Sequence, residues 1–332
     1  MEKNEKQQLP TFTNVHRDLK TKPDMTTDSW YVRTNCLSKG HQIGFEWHQM
    51  VVRPVRGLSL SVTDFLGMDA TSDIYLVHST SGLGGKHNGP AKGACHVESK
   101  YGVFEGDEYG IKVDFSTEDC EVHATLTPRM VLHNGCSGLL PLLNAFSYQF
   151  SFPDALMNGT LRIKDETYPL NNAVAWVDRQ YTKSKMKNVS SPNWLWLGMN
   201  LDMETGVAMS LWDPADPNDS HKCFATIADQ NGVHSMHPAA VEYHEMWNSN
   251  LTKNLYPAEF RVTVPTADIV LCCRTLQSAP EFYKGTAGIY SGGSQALIQV
   301  NGHYGKKMID SVEIVEVLGD FSGKYTKRNT YA

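Results

Sequence analysis

No stretch of about 18 apolar residues occurs in this 332-residue chain, so the sequence offers no candidate for a membrane-spanning helix. Its first residues, MEKNEKQQLPTF, are charged and polar where a secretory leader would be apolar, which predicts a cytoplasmic protein. An excess of one charge is missing too. Thirty Lys and Arg stand against 36 Asp and Glu, a net charge of −6 with the signs interspersed, and no basic block is there to follow a phosphate backbone. Nucleic acid is therefore not an expected partner. The seven cysteines form no CxxC pair, and neither an HExxH motif nor a carboxylate cluster with ligand spacing is found, so no metal is expected. P-loop order, a GxGxxG before a helix and a GxSxG elbow are likewise lacking, which argues against nucleotide cofactors and serine-hydrolase chemistry; no cofactor is expected.

Helical periodicity is scarce: only AAVEYHEMWNS, residues 239–249, suggests a turn or two of helix. Short β-rich runs fill the chain instead, among them SWYVRTNCL, HQIGFEWHQMVV, GLSLSVTDFL and CEVHATLTP, then WLWLGMNLD, GVAMSLWD, AEFRVTVP and QALIQVNGHY, separated by Gly, Pro, Asn and Asp. This pattern predicts an all-β fold of sandwiches or barrels, and the length predicts two lobes. The polar, basic stretch TKSKMKNVSSPN places the boundary near residues 184–193, giving an N-terminal domain over 20–186 and a C-terminal one over 187–328. A closed or nearly closed antiparallel barrel of about eight strands has room for one small ligand, so a hydrophobic small molecule is the expected partner. A monomer and a homodimer both fit the sequence.

The run YQFSFPDALMNGTLRIKDETYPLNNAVAWVDRQY followed by NWLWLGMNLDMETGVAMSLWD is similar to the hydroxyneurosporene synthase (carotenoid hydratase) and kievitone hydratase superfamily. The elements that carry the resemblance are Ser151, Pro153, Gly159 to Leu161, Ala175, Trp176, Asp178, Arg179, Gln180 and Tyr181, then Trp194 and Trp196, with weaker matches in order over roughly residues 28–321. The chain departs from many members in having Ser29-Trp30 in place of a Trp doublet and Tyr181 in place of a Trp. The resemblance implies two consecutive lipocalin-like domains. It also implies hydration of a C=C bond in a terpenoid, polyene or prenylated aromatic, with cofactor-free cyclisation or isomerisation, or simple carriage of a ligand, as the alternatives.

Hydrating an alkene requires a proton donor and a surface that tolerates a cation. Asp178 is the candidate acid, since a carboxyl in an apolar pocket has its pKa raised. Trp176, Tyr181, Trp194 and Trp196 are the candidate faces for the developing charge. A purely architectural role for the same cluster, with Asp178 paired to Arg179, is equally open. Trp194 and Trp196 share one strand face and Leu195 and Leu197 the other; both faces are apolar, which predicts a strand buried between the lobes. Alternation puts Glu46 and His48 on one face with Gly44, and Trp47 on the opposite one, so Glu46 and His48 are a candidate acid/base pair or a solvated face. His78 is a candidate base or a satisfied core histidine. Asn200 joins Arg179, Trp47 and His48 among the candidate substrate contacts, and Glu316 is expected to be held by an Arg or a backbone donor.

Overall fold

The computed structural model describes residues 15–55, 57–83, 95–142, 145–183, 193–214, 222–282 and 292–324. Apart from a short helix, α1 (Val15–Leu19), and two 3-10 turns, the regular elements are strands. The first sheet contains β1 (Thr27–Ser38), β2 (His41–Val55), β3 (Leu58–Asp69), β4 (Ile74–Leu83), β5 (Cys95–Ser99), β6 (Gly102–Gly106), β7 (Ile111–Ser116), β8 (Cys120–Pro128), β9 (Leu132–His133), β10 (Leu139–Leu142), β11 (Ala145–Ile163) and β12 (Glu166–Thr182). Its order is β4-β3-β2-β1-β12-β11-β8-β7-β6-β5, with β9 and β10 on β11. The second contains β13 (Trp194–Asp202), β14 (Val207–Pro214), β15 (Phe224–Asp229), β16 (His234–Pro238), β17 (Ala240–Asn248), β18 (Leu255–Val264), β19 (Ile269–Thr275), β20 (Gly293–Tyr304) and β21 (Lys307–Leu318), in the order β16-β15-β14-β13-β21-β20-β19-β18-β17.

The fold is thus all-β, two lipocalin-like antiparallel lobes in sequence. Each curls as a half-barrel: among the described residues neither β4 and β5 nor β16 and β17 pair to close the ring. The predicted linker lies almost wholly in residues 184–192, outside the described residues, and the proposed boundary between 186 and 187 lies there as well. No helix among the described residues is long and apolar enough to cross a membrane.

Period-two burial builds the lobes. On β7, Ile111, Val113 and Phe115 point inward while Lys112 is exposed; on β19, Ile269, Leu271 and Cys273 do the same. Trp47 fills the first lobe, stacked 4.5 Å from Phe115 and 5.8 Å from Phe104. The helical expectation for residues 239–249 is overturned: this segment is β17, paired antiparallel with β18. Its apolar spacing looked helical because register shifts around Glu245 move the inward positions from Val241 and Tyr243 to Met246 and Trp247.

Between the lobes lies a third apolar cluster. Tyr31, Leu66, Met130, Leu132, Leu140 and Trp176 of the first sheet meet Trp194, Trp196, Ala208, Trp212, Phe224 and Leu318 of the second. Strand β13 has the two-sided burial that its sequence predicted, with Leu195, Leu197 and Met199 in the second core and Trp194 and Trp196 in this seam.

Candidate active site

Strand register assembles a polar row on the seam face of the first sheet. Asp178 pairs with Tyr31 on one side and Ser151 on the other, Tyr31 pairs with His48, and His48 pairs with Asp64. Residues directly opposite in an antiparallel sheet point the same way, so Ser151, Asp178, Tyr31, His48 and Asp64 share one face. The neighbouring row runs Trp176, Arg33, Glu46 and Leu66. Across the seam, the second sheet presents Phe224, Trp212, Trp196, Glu316 and Gln295 in a row of its own.

Asp178 is 7% exposed. Its carboxylate accepts hydrogen bonds from the Ser151 hydroxyl and from Trp176 Nε1 at 2.8 Å, and the Gln149 amide beside it also favours the charged form. Burial nevertheless outweighs these bonds and the nearby Arg33 charge, raising the carboxyl from its ordinary 3.8 to about 6. Around it the Trp176 and Trp196 rings meet edge-on at 5.7 Å, Tyr31 meets Trp196 edge-on at 5.7 Å, and Trp212 lies 6.2 Å from Trp196. Two of the indole N–H groups are anchored, Trp196 Nε1 to Ser210 Oγ at 3.1 Å and Trp194 Nε1 to Glu316 Oε1 at 2.5 Å. Glu316 also accepts from Gln295 Nε2 at 2.8 Å, and Gln295 Oε1 accepts from the Tyr31 hydroxyl at 3.3 Å, so one polar chain spans both lobes. Glu316 is thus held by a Trp and a Gln side chain.

Arg33 staples the lobes together. Its guanidinium donates to the Gly198 carbonyl, lies 3.9 Å from Glu313, and sits over both Trp176 and Trp196, 5.7 and 5.5 Å from the ring centroids. Burial raises the Glu313 carboxyl from 4.5 to about 7, with Arg33 pulling it back. Arg33→Met therefore leaves Glu313 without its cation and the Gly198 carbonyl without its donor. The expected cost is about 3 kcal/mol, the lower end for breaking a buried pair, read as a lowered urea midpoint with tryptophan emission shifted to the red.

The other sequence candidates divide between the two faces of the first sheet. Glu46, 2% exposed, and half-buried His48 lie on the seam side; His48 Nε2 is 2.9 Å from Ser29 Oγ and its ring 5.9 Å from Tyr31. The solvated alternative for this face does not hold, because the second lobe covers it. Trp47 points into the first core. His78 sits on the same side as Ile74 and Leu76, paired with Asp119 at 2.6 Å and 6.1 Å from Tyr101, on the opposite face from Asp178. Arg179 and Tyr181 also face the first lobe, because each is an odd number of residues from Asp178. Arg179 is fully buried and pairs with Asp28 at 2.5 Å, so the expected alternative pairing with Asp178 is replaced. Tyr181 lies 4.8 Å from Tyr148. Asn200 donates to the Pro153 carbonyl at 2.9 Å, a bond between lobes.

Sequence reading did not single out Tyr31, Arg33, Gln149 or Gln295. Each is polar within an apolar strand, a signal that was available, but what each touches depends on strand register and on the meeting of two sheets. Among the described residues no group of three or more His, Cys, Asp and Glu side chains is placed to hold a metal ion.

The AttH-like family model matches residues 7–302. A curated dehydratase, asqC of Emericella nidulans, is 28% identical over 189 residues, which are 51% of this chain and 52% of the relative; the chain matches about half the length of that protein. Among solved structures, an AttH-type protein of Nitrosomonas europaea superposes with a TM-score of 0.78 at 17% identity, covering 93% of this chain and 98% of the other. Kievitone hydratase of Nectria haematococca superposes at 0.75 and 16%, covering 93% of each. At such identities the two structures speak for the fold, and they carry the two-lobed arrangement over nearly its full length. The match over residues 7–302 of 332 settles kinship: the chain belongs to the AttH-like family.

Proposed function

We propose that this chain is a hydratase-type enzyme that adds water to, or removes it from, a C=C bond of a hydrophobic small molecule, a terpenoid, polyene or prenylated aromatic, held in the seam between the lobes. The observation that carries this reading is a buried carboxyl, Asp178, raised to about 6 within an aromatic seam. A general acid is most useful when its pKa lies near the working pH. The relatives named kievitone hydratase and dehydratase asqC bear the names of the two directions of one reaction type, and their kinship supports the assignment.

In the hydration direction the Asp178 proton passes to one alkene carbon, whose π electrons form the new C–H bond. Trp176 and Trp196 present ring faces to the cationic carbon that remains, each worth on the order of 0.5–2 kcal/mol. A water oxygen closes on that carbon, and its surplus proton returns to the Asp178 carboxylate. Dehydration is the reverse, with the carboxyl protonating the departing hydroxyl.

The test is product analysis after incubating the protein with a panel of prenylated and polyene compounds in heavy-oxygen water. A product carrying one labelled oxygen, formed by the wild type and not by Asp178→Asn, is the expected result. An unlabelled isomer whose yield depends more on Trp194→Ala or Trp196→Ala than on Asp178 would replace hydration with cyclisation or isomerisation. Retention of an unchanged compound would make the chain a carrier.

A further inference from the structure

Two side-chain oxygens close to Asp178 are buried and have no hydrogen-bond partner among the described residues: Asn134 Oδ1 and Gln149 Oε1. Asn134 is 0% exposed and Gln149 2%. Asn134 Nδ2 donates to Ser151 Oγ at 3.3 Å, and that hydroxyl in turn donates to Asp178; the Gln149 amide lies beside the Asp178 carboxyl and favours its charged form. Each amide carbonyl oxygen is a pure acceptor. Ser151 pairs with Leu132 and Phe150 with His133; Asn134 opens the 3-10 turn that follows, and the Gln149 backbone N–H donates to the Gly138 carbonyl just beyond that turn.

Asn134 is also held firmly. Its neighbours are tied to the second lobe, His133 N–H to His234 Nε2 at 2.9 Å and Gly135 N–H to Thr226 Oγ1 at 2.9 Å. Gly135 makes the turn between them at φ 62°, a conformation that glycine adopts without penalty. An orphaned buried acceptor is costly, so two near one carboxyl call for a donor that they share with the chemistry.

Resting on the hydratase reading above, we propose that Asn134 and Gln149 form the hydroxyl site of the reaction, their side-chain oxygens holding the O–H of the water that adds, or of the tertiary alcohol that leaves, beside Asp178. A carbonyl oxygen can take only a donor, so the site selects water or an alcohol over an ether or a ketone at this position. Holding the water by its hydrogens aims its lone pair at the carbon that Asp178 has just rendered cationic. In dehydration the same contact orients the departing oxygen toward the carboxyl proton.

The direct probe is 2-methylbutan-2-ol, the tertiary alcohol formed by hydrating a small trisubstituted alkene, soaked into crystals of the wild-type protein. Its hydroxyl oxygen is expected within hydrogen-bond distance of Asn134 Oδ1 or Gln149 Oε1, and to be lost from that place in Gln149→Met. An ordered water that stays on both oxygens while the alcohol binds elsewhere or not at all would make it a structural water and overturn the proposal. With a panel compound that is turned over, Asn134→Leu and Gln149→Met should each lower kcat about 10²-fold with KM changed less than about threefold, and with a pH limb retained because Asp178 is intact, displaced upward in Gln149→Met where the carboxylate loses that support. A loss carried in KM alone would also overturn it. The two readings fail separately: turnover that survives Asp178→Asn removes the acid while leaving the hydroxyl site, whereas an alcohol absent from the two amides removes the site while leaving the acid.

Discussion

Asp178→Asn is expected to lower turnover by 10²–10⁴-fold, the usual range for removing a positioned general acid, and to abolish an activity limb near pH 6. Activity in the wild type should rise as the pH falls through about 6, because the protonated carboxyl is the active form. The substitution is close to isosteric. The amide that replaces the carboxyl still offers an oxygen to Trp176 Nε1 and gains a donor toward Ser151 Oγ, so loss of activity is not expected to come from loss of fold. Stability should move the other way. The folded pKa of about 6 lies above the ordinary 3.8, so between those values the native state holds the proton more tightly than the unfolded chain. The contribution of Asp178 is therefore fully present below about pH 4 and is lost as the pH rises through 6, a swing of about 3 kcal/mol at roughly 1.36 kcal/mol per pKa unit. An Asn variant feels no such loss. Urea titrations at pH 5 and 8 should show it gaining on the wild type at the higher pH; a wild-type-like pH slope would mean that Asp178 is not the raised carboxyl.

Arg179→Leu is expected to be the most damaging single substitution for the fold while touching no residue of the seam. The guanidinium donates to the carbonyls of Leu19, Lys20, Ser29 and Gln180 at 2.7–3.1 Å, pairs with Asp28 and lies 4.1 Å from the Trp30 ring. Removing it takes the nearer of two cations from Asp28, leaving the Lys22 N–H at 2.7 Å and Arg53 at 3.8 Å, and strips several buried carbonyls of this donor; breaking a buried pair alone costs about 3–5 kcal/mol. The apparent Tm should drop by about 10 °C or more, and soluble yield with it. Arg179→Lys should rescue little, because an ammonium on a flexible stem cannot reproduce a planar fork that serves five acceptors. Normal yield and melting for Arg179→Leu would show that α1, whose last carbonyl is that of Leu19, is not anchored as the geometry has it.

Neighbours in sequence with unrelated duties explain what could be read early and what could not. Trp176, Asp178 and Trp196 were legible through the run that resembles the hydratase superfamily, within which a carboxyl among aromatics pointed to the acid. Arg179 entered by the same route, but a step of one residue turns it to the other side of β12 and into the first lobe. His78 was likewise a polar residue in an apolar run, and the same alternation sends it to Asp119. Glu46 and His48 were placed together by their spacing of two, but whether their face was wet depended on the second lobe.

The resemblance to the hydratase superfamily singled out Asp178, while composition, alternation and turn residues by themselves determined that this chain is all-β and two-lobed and that β13 is apolar on both faces. These are local properties, set by the two-residue period of a strand. Tertiary structure alone decided that the candidate site lies between the lobes, that Tyr31, Gln295 and Glu316 link them, and that the amide oxygens of Asn134 and Gln149 are buried near Asp178 without a partner among the described residues. Those contacts join residues up to 264 positions apart, as Tyr31 and Gln295 are. Strand order and register, which no local period encodes, bring them together.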